Sequence, residues 1–284
     1  LDLHETKALV DRRARFAQSV ARRGGCEHTA IHAAFERVPR HVFVGPGPWQ
    51  FSEHGGPSAS ADPALVYRDL ALGLVPESGI TTGQPSLHAR CLAACEPLPG
   101  ERVVHIGAGT GYYTALLAEL VGAAGAVLAF EIDARLAARA AVNLAPWSSV
   151  QVVAGSWTRQ PFGATDLIYV SAGVEALPLA WLRALRPGAR LLFPLVPEGR
   201  EGGMLLVRHI GSAEHFAARF LCRARFVPCV GARDPDGGER LAAAFARGGW
   251  EAVRSLHLGV DVDGTAWCSG RGWRLSATPS GPSP

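Results

Sequence analysis

The chain has 284 residues, 48% of them hydrophobic, and a formal net charge of +3. That is enough apolar material for a sizeable core, which excludes a largely disordered chain and fits one domain with extensions or two small ones. The charge is dispersed without a basic block, which argues against nucleic acid as a partner.

The chain opens Leu1-Asp2-Leu3-His4-Glu5 with no basic patch ahead of an apolar run. No stretch approaches the roughly 18 apolar residues of a membrane span, so the reading is a cytoplasmic protein with no membrane partner. Helices are expected over residues 5–22 and 28–37, where Leu9, Phe16 and Val20 recur at helical spacing among polar residues. Pro39 stops the second. The Gly/Pro/Ser-rich stretch over residues 45–63 reads as a long loop.

A regular pattern then begins. It predicts a helix over 87–95, a buried strand over 102–106, a helix over 113–121, a strand over 126–131 and a helix over 134–144. Strands over 150–153 and 166–170, a helix over 179–185 and a strand over 190–193 follow. Strands alternating with helices at this spacing give an α/β fold, a mostly parallel sheet with helices on both faces. Residues 204–209 and 216–224 read as antiparallel edge strands. No motif stands out from Ala232 onward, but Trp250, Trp267 and Trp273 mark an ordered region before a Pro/Ser-rich tail. The expected division is an N-terminal helical and loop extension (1–97), a nucleotide-binding-type core (98–211) and a C-terminal extension packing on it (212–284).

Cys26, Cys91, Cys95, Cys222, Cys229 and Cys268 show no paired metal-ligand spacing. They read as buried structural thiols with no metal site. The chemistry-bearing segment is His105-Ile106-Gly107-Ala108-Gly109-Thr110-Gly111-Tyr112-Tyr113. A strand runs into a glycine-rich turn and then a helix, so backbone N–H groups at a helix N-terminus can meet a ligand closely. The third glycine of the dinucleotide pattern would fall at Tyr112, and a bulky residue there disfavours a pyrophosphate. Glu131 ends the next strand roughly twenty residues on, where a carboxylate accepts both hydrogen bonds of a ribose diol. Together these features imply a nucleoside ligand.

The order of motifs resembles the protein-L-isoaspartate O-methyltransferase family over most of residues 35–232. The matching stretches are Val38-Pro39-Arg40-His41-Val42-Phe43-Val44, Tyr67-Arg68-Asp69, Thr81-Thr82-Gly83-Gln84-Pro85 with Leu87-His88-Ala89, and the glycine loop. Glu131-Ile132-Asp133, residues 166–172, residues 185–191 and Arg225-Phe226-Val227-Pro228 complete the series. The resemblance implies a Rossmann-like S-adenosyl-L-methionine-dependent methyltransferase fold with N-terminal helices and an antiparallel C-terminal extension.

By the same resemblance, Gly107, Ala108, Gly109, Thr110 and Gly111 cradle the methionine moiety, Glu131 holds the ribose and Ile132 lies beside the adenine. Thr81, Thr82 and His88 sit near the methionine end and the transferred methyl group, with Thr82, Gly83 and His88 as the catalytic set. Three positions depart from the family pattern. Gly83 stands where a serine tied to the substrate carboxylate is usual and offers only its backbone N–H. Gly155-Ser156-Trp157 replaces Gly-Asp-Gly at the adenine side, leaving Ser156 as a neutral partner and Trp157 as a stacking surface. His105 replaces an acidic residue.

Methyl transfer from a sulfonium is an in-line displacement that depends mainly on positioning. A carboxylate is already ionised at neutral pH and needs no base. The expected reaction is therefore O-methylation of a carboxylate of a peptide or protein. Asp69 and His88 are the candidate bases for an alcohol or amine acceptor. The alternatives are a specialised enzyme acting on one peptide or small metabolite, and a catalytically silent cofactor-binding regulatory protein.

Overall fold

The computed structural model describes residues 6–26, 29–53, 56–211, 214–259 and 264–279. In chain order these form α1 (Lys7–Arg23), α2 (Thr29–Arg37), α3 (Arg40–Val44), β1 (Trp49–Glu53), β2 (Gly56–Ser60), β3 (Gly73–Val75), β4 (Ile80–Thr81), α4 (Pro85–Cys95), β5 (Arg102–Ile106), α5 (Tyr112–Val121) and β6 (Ala126–Glu131). They continue with α6 (Ala134–Asn143), β7 (Val150–Ala154), β8 (Thr165–Val170), α7 (Leu179–Ala184), β9 (Leu185–Leu195), β10 (Gly202–His209), β11 (His215–Ala224), α8 (Pro235–Arg247), β12 (Ser255–Leu258), β13 (Cys268–Gly270) and β14 (Trp273–Ser276). Two compact units result, one of Leu1–Glu101 and Ala108–Gly155, the other of Arg102–Gly107 and Ser156–Pro284.

In the first unit, α1 starts at Thr6, whose Oγ1 accepts the Leu9 N–H at 3.3 Å. The helix buries Phe16, Ala17, Val20 and Ala21 on the face that packs against α2 and α4. Phe16 meets the edge of Phe35 at 6.2 Å. Glu5 and His28, the expected first residues of the two N-terminal helices, lie outside the described residues, as do Leu1 to His4. The expected loop over 45–63 is overturned in part, because β1 and β2 form an antiparallel hairpin with Trp49 opposite Ser60. Glycine and proline dominate the composition there, but Trp49 is buried and Phe51 bridges to Leu72, which anchors the first strand. His54 and Gly55 lie outside the described residues.

β6 and β7 pair in parallel, with Glu131 level with Ala154. α6 connects them, capped by Asp133, whose Oδ1 accepts the N–H groups of Arg135 and Leu136. Such a cap satisfies two of the amides that a helix start leaves without partners.

In the second unit the strand order is β13-β14-β12-β11-β10-β9-β8-β5. β5, β8 and β9 run parallel, with Val103 level with Leu167 and Leu167 with Arg190. Leu167, Ile168, Tyr169 and Val170 are all buried, as expected of a parallel strand covered on both faces. From β9 outward every pairing is antiparallel, which bears out the edge strands expected from the sequence. Beyond Ala232 the chain adds α8 and three strands, and Phe220, Phe245 and Trp267 stack edge to face at 5.1–5.5 Å. Residues 280–284 of the expected tail lie outside the described residues.

All six cysteines are free thiols. Among the described residues no helix is long and apolar enough to cross a membrane, and no cluster of His, Cys, Asp and Glu could hold a metal ion.

Candidate active site

After β5 the chain turns through the glycine loop into α5. In the first unit the loop is held by backbone bonds: the Ala108 N–H donates to the Phe130 carbonyl at 3.0 Å and the Gly111 N–H to the Ala108 carbonyl at 2.9 Å. Asn143 Nδ2 donates to the Thr110 carbonyl at 2.9 Å. Gly111 has φ 96°, and a Cβ there would come within 2.7 Å of Leu144 Cδ1, so conformation and packing both reserve the position for glycine.

Glu131 is 7% exposed. Its Oε2 accepts the Gly109 N–H at 2.7 Å and its Oε1 the Asp133 N–H at 2.9 Å. Burial pushes the carboxyl pKa up, while N–H donors from Asp133, Gly109 and Ile132 pull it back. A carboxylate offers about four acceptor positions. One on each oxygen is taken, which leaves each oxygen able to accept from a further donor such as a vicinal diol. Ile132, next in the chain, is exposed.

In the second unit His105 is 1% exposed, and its Nε2 lies 3.1 Å from Ser171 Oγ. Burial pushes the imidazole down to about 3, so it stays neutral. Gly107 lies against Ser171, whose carbonyl carbon would stand 3.3 Å from a Cβ at 107. Ser156 caps a short 3-10 turn: its Oγ accepts the Thr158 N–H at 3.2 Å and lies 2.8 Å from Thr158 Oγ1. The half-buried Trp157 ring packs edge to face with Trp181 at 4.9 Å.

The structure brings Thr81, Thr82, Gly83 and His88 together in the first unit. Thr81 Oγ1 accepts the Gly83 N–H at 3.2 Å, so the one polar group that glycine offers here is already paired. Thr82 Oγ1 accepts from the Leu72 N–H at 3.0 Å and from Arg40 Nη2 at 3.0 Å, and donates to the Gly83 carbonyl at 3.1 Å. His88 is 2% exposed and lies flat on Tyr113, with ring centroids 3.5 Å apart and planes 14° from parallel. The Tyr113 hydroxyl donates to the Gly83 carbonyl at 3.3 Å, and burial raises its pKa.

Asp69, a candidate base, caps α4: its Oδ1 accepts the Ser86 N–H at 2.8 Å and its Oδ2 accepts from Gln84 Nε2 at 3.3 Å. Sequence reasoning missed Arg40, Tyr113 and Asn143. The fully buried Arg40 guanidinium donates to the carbonyls of Val66, Arg68 and Leu70 at 2.6–2.9 Å as well as to Thr82, tying the segment before β3 to the segment after β4. Its signal was a charged side chain inside the apolar run Val38 to Val44.

A family model described as Protein-L-isoaspartate(D-aspartate) O-methyltransferase matches residues 12–234. A protein-L-isoaspartate O-methyltransferase of a Bradyrhizobium species is 33% identical over 217 residues, 75% of this chain and 91% of the relative. Protein-L-isoaspartate O-methyltransferase 2 of Pelobacter propionicus is 32% identical over 213 residues, 73% of this chain and 85% of the relative. Among solved structures, a protein-L-isoaspartate O-methyltransferase superposes with a TM-score of 0.65 at 22% identity, covering 93% of this chain and 87% of the other. A Plasmodium falciparum beta-aspartate methyltransferase in complex with S-adenosyl-L-homocysteine gives a TM-score of 0.62 at 17% identity, covering 76% of this chain and 97% of the other. These superpositions establish the Rossmann-like methyltransferase fold.

Proposed function

Because the chain belongs to the protein-L-isoaspartate(D-aspartate) O-methyltransferase family and is thus an S-adenosyl-L-methionine-dependent methyltransferase, we propose that it esterifies a carboxylate of a peptide or protein, isoaspartyl sites foremost. The observation that carries this reading is Glu131, a buried carboxylate wired to the N–H groups of Gly109 and Asp133 at the end of β6. It fits the ribose of the adenosyl cofactor, because an acceptor-only group held rigidly by two amides can still take both hydroxyl donors.

Bound S-adenosyl-L-methionine supplies an electrophilic methyl group on a sulfonium. In the first unit, Ala108, Gly109, Thr110 and Gly111 would hold the methionine moiety, Glu131 the ribose, and Ile132 would flank the adenine. Thr81, Thr82 and His88 would line the methyl end, with Arg40 fixing Thr82 in place. In the second unit, Gly107 would continue the methionine cradle, and Ser156 and Trp157 would serve the adenine.

These residues bind and orient, and no proton needs to move. A carboxylate with a pKa of about 4 is ionised at neutral pH. The capping role of Asp69 and the neutrality of His105 suit a site without a general base. Free thiols at all six cysteines support a reducing compartment, the cytoplasm. The dispersed charge favours a peptide or protein over nucleic acid.

The test is transfer of a labelled methyl group to an isoaspartyl peptide beside its aspartyl isomer. The expected result is a base-labile ester on the isoaspartyl peptide alone. No ester above a no-enzyme control would remove this acceptor and leave a specialised peptide or metabolite in its place.

A further inference from the structure

At position 83 every backbone polar group is committed. The N–H goes to Thr81 Oγ1, and the carbonyl accepts from both Thr82 Oγ1 and Tyr113 Oη. φ is +72°, and the direction a side chain would take is filled: an ideal Cβ would lie 2.5 Å from His88 Nε2, 3.1 Å from His88 Cδ2 and 3.5 Å from Tyr113 Cε2. The edge of the imidazole therefore stands where a side chain of residue 83 would begin. The ring is held there by the Tyr113 face at 3.5 Å and by a position almost wholly inside the unit.

We infer that the His88 imidazole edge is the acceptor-binding group of this segment, in place of any side chain at 83, and that the His88–Tyr113 stack is a specificity-determining wall admitting only glycine beside it. The inference rests on the carboxylate-acceptor reading above. Given that reading, a polar group must face the acceptor near Thr81 and Thr82, and the peptide of Gly83 has none to spare. His88 Nε2 is a nitrogen at the right place, and rings locked by stacking and burial give the fixed geometry that an in-line displacement requires. Glycine at 83 is then a packing consequence of His88.

A double-mutant cycle tests this on the full chain. His88→Ala is expected to raise KM for an isoaspartyl peptide about tenfold while changing kcat less than threefold, since it removes binding and not chemistry. Gly83→Ser forces the imidazole off Tyr113 and should lower kcat/KM by a similar factor. In Gly83→Ser/His88→Ala the hydroxymethyl group has the vacated space. The cycle should show a favourable coupling of about tenfold, the size expected of residues in direct contact.

Affinity for S-adenosyl-L-homocysteine, measured by calorimetry, should stay within about twofold throughout. The His88 ring protons should resonate upfield in wild type and return to ordinary positions in Tyr113→Leu, a readout that needs no turnover. Multiplicative losses in the double variant, or an unchanged KM in His88→Ala, overturn the inference even if the serine variants fail to fold. Wild-type protein that binds the cofactor product but never esterifies the peptide overturns the acceptor reading instead.

Discussion

Glu131 closes β6 and His105 stands one residue before the end of β5, and both side chains are buried, at 7% and 1% exposure. Burial acts against the charged form of each. Glu131 is given backbone N–H donors by Gly109 and Asp133, which oppose the rise in its pKa. His105 has Ser171 Oγ at 3.1 Å, desolvation is the cause of its shift, and its imidazole is pushed down to about 3. A buried ionisable group keeps its charge only where fixed donors replace the lost water. The Glu131 end of the molecule is built to present an anion, and the His105 end to avoid a cation.

The largest expected effect breaks the Glu131 side of that contrast. Charge-assisted hydrogen bonds are worth about 1.5–3 kcal/mol each, so losing two to a ribose diol should weaken cofactor binding by a hundredfold or more. Calorimetry of Glu131→Ala with S-adenosyl-L-homocysteine checks this, and an affinity within threefold of wild type would reject Glu131 as the ribose ligand. The ligand-free protein carries a second signature. A carboxyl pKa raised by folding means the folded state holds the proton more tightly. The group's contribution is then fully present below its unfolded pKa and is lost as pH rises through the raised value. Glu131→Gln lacks that loss.

The next effect concerns His105 and has the opposite sign. Its pKa falls from 6.5 to about 3 on burial, so the unfolded chain binds the extra proton between those values. Stability contributed by the neutral ring is present above the unfolded pKa and drains away as pH falls, by about 1.4 kcal/mol per unit once below it. Between pH 7 and pH 5 the wild type should lose about 2 kcal/mol more than His105→Gln, whose amide can still bond Ser171 but does not titrate. Urea unfolding at the two pH values measures the difference, and parallel curves would mean that the ring is not held neutral.

Both strand ends were legible in the sequence, because each depends on local signals: a short apolar run, glycines at fixed spacing, and an acidic residue closing the next strand. What escaped depended on contacts far apart in the chain. Arg40 is satisfied by the carbonyls of Val66, Arg68 and Leu70, which no periodicity announces. The hairpin of β1 and β2 pairs two short strands within a glycine- and proline-rich stretch, so composition hid the strands. α8 begins Pro235-Asp236-Gly237-Gly238, which reads as a turn. A Cβ on Gly238 would approach Glu175 Oε1 to 2.8 Å, and that carboxylate also accepts the N–H groups of Glu198 and Asp234. The exclusion of side chains at 83 by His88 is invisible for the same reason, since φ and the stacked ring are tertiary facts.

The smallest expected effect sharpens the contrast at Ser156, where a side chain implied to serve the cofactor is satisfied by its own turn. Its Oγ takes the Thr158 N–H at 3.2 Å and pairs with Thr158 Oγ1 at 2.8 Å, the arrangement of a helix N-cap. Removing such a cap costs about 0.5–1 kcal/mol at the low end of the measured range. A hydroxyl already engaged within its turn has little left to give a ligand. Ser156→Ala should therefore lower the unfolding free energy by that amount and change affinity for S-adenosyl-L-homocysteine less than threefold, in contrast to Glu131→Ala. An affinity loss of tenfold, about 1.4 kcal/mol, would show instead that the hydroxyl leaves Thr158 to meet the adenine. Ser156 would then share with Glu131 the presentation of a polar group to the cofactor.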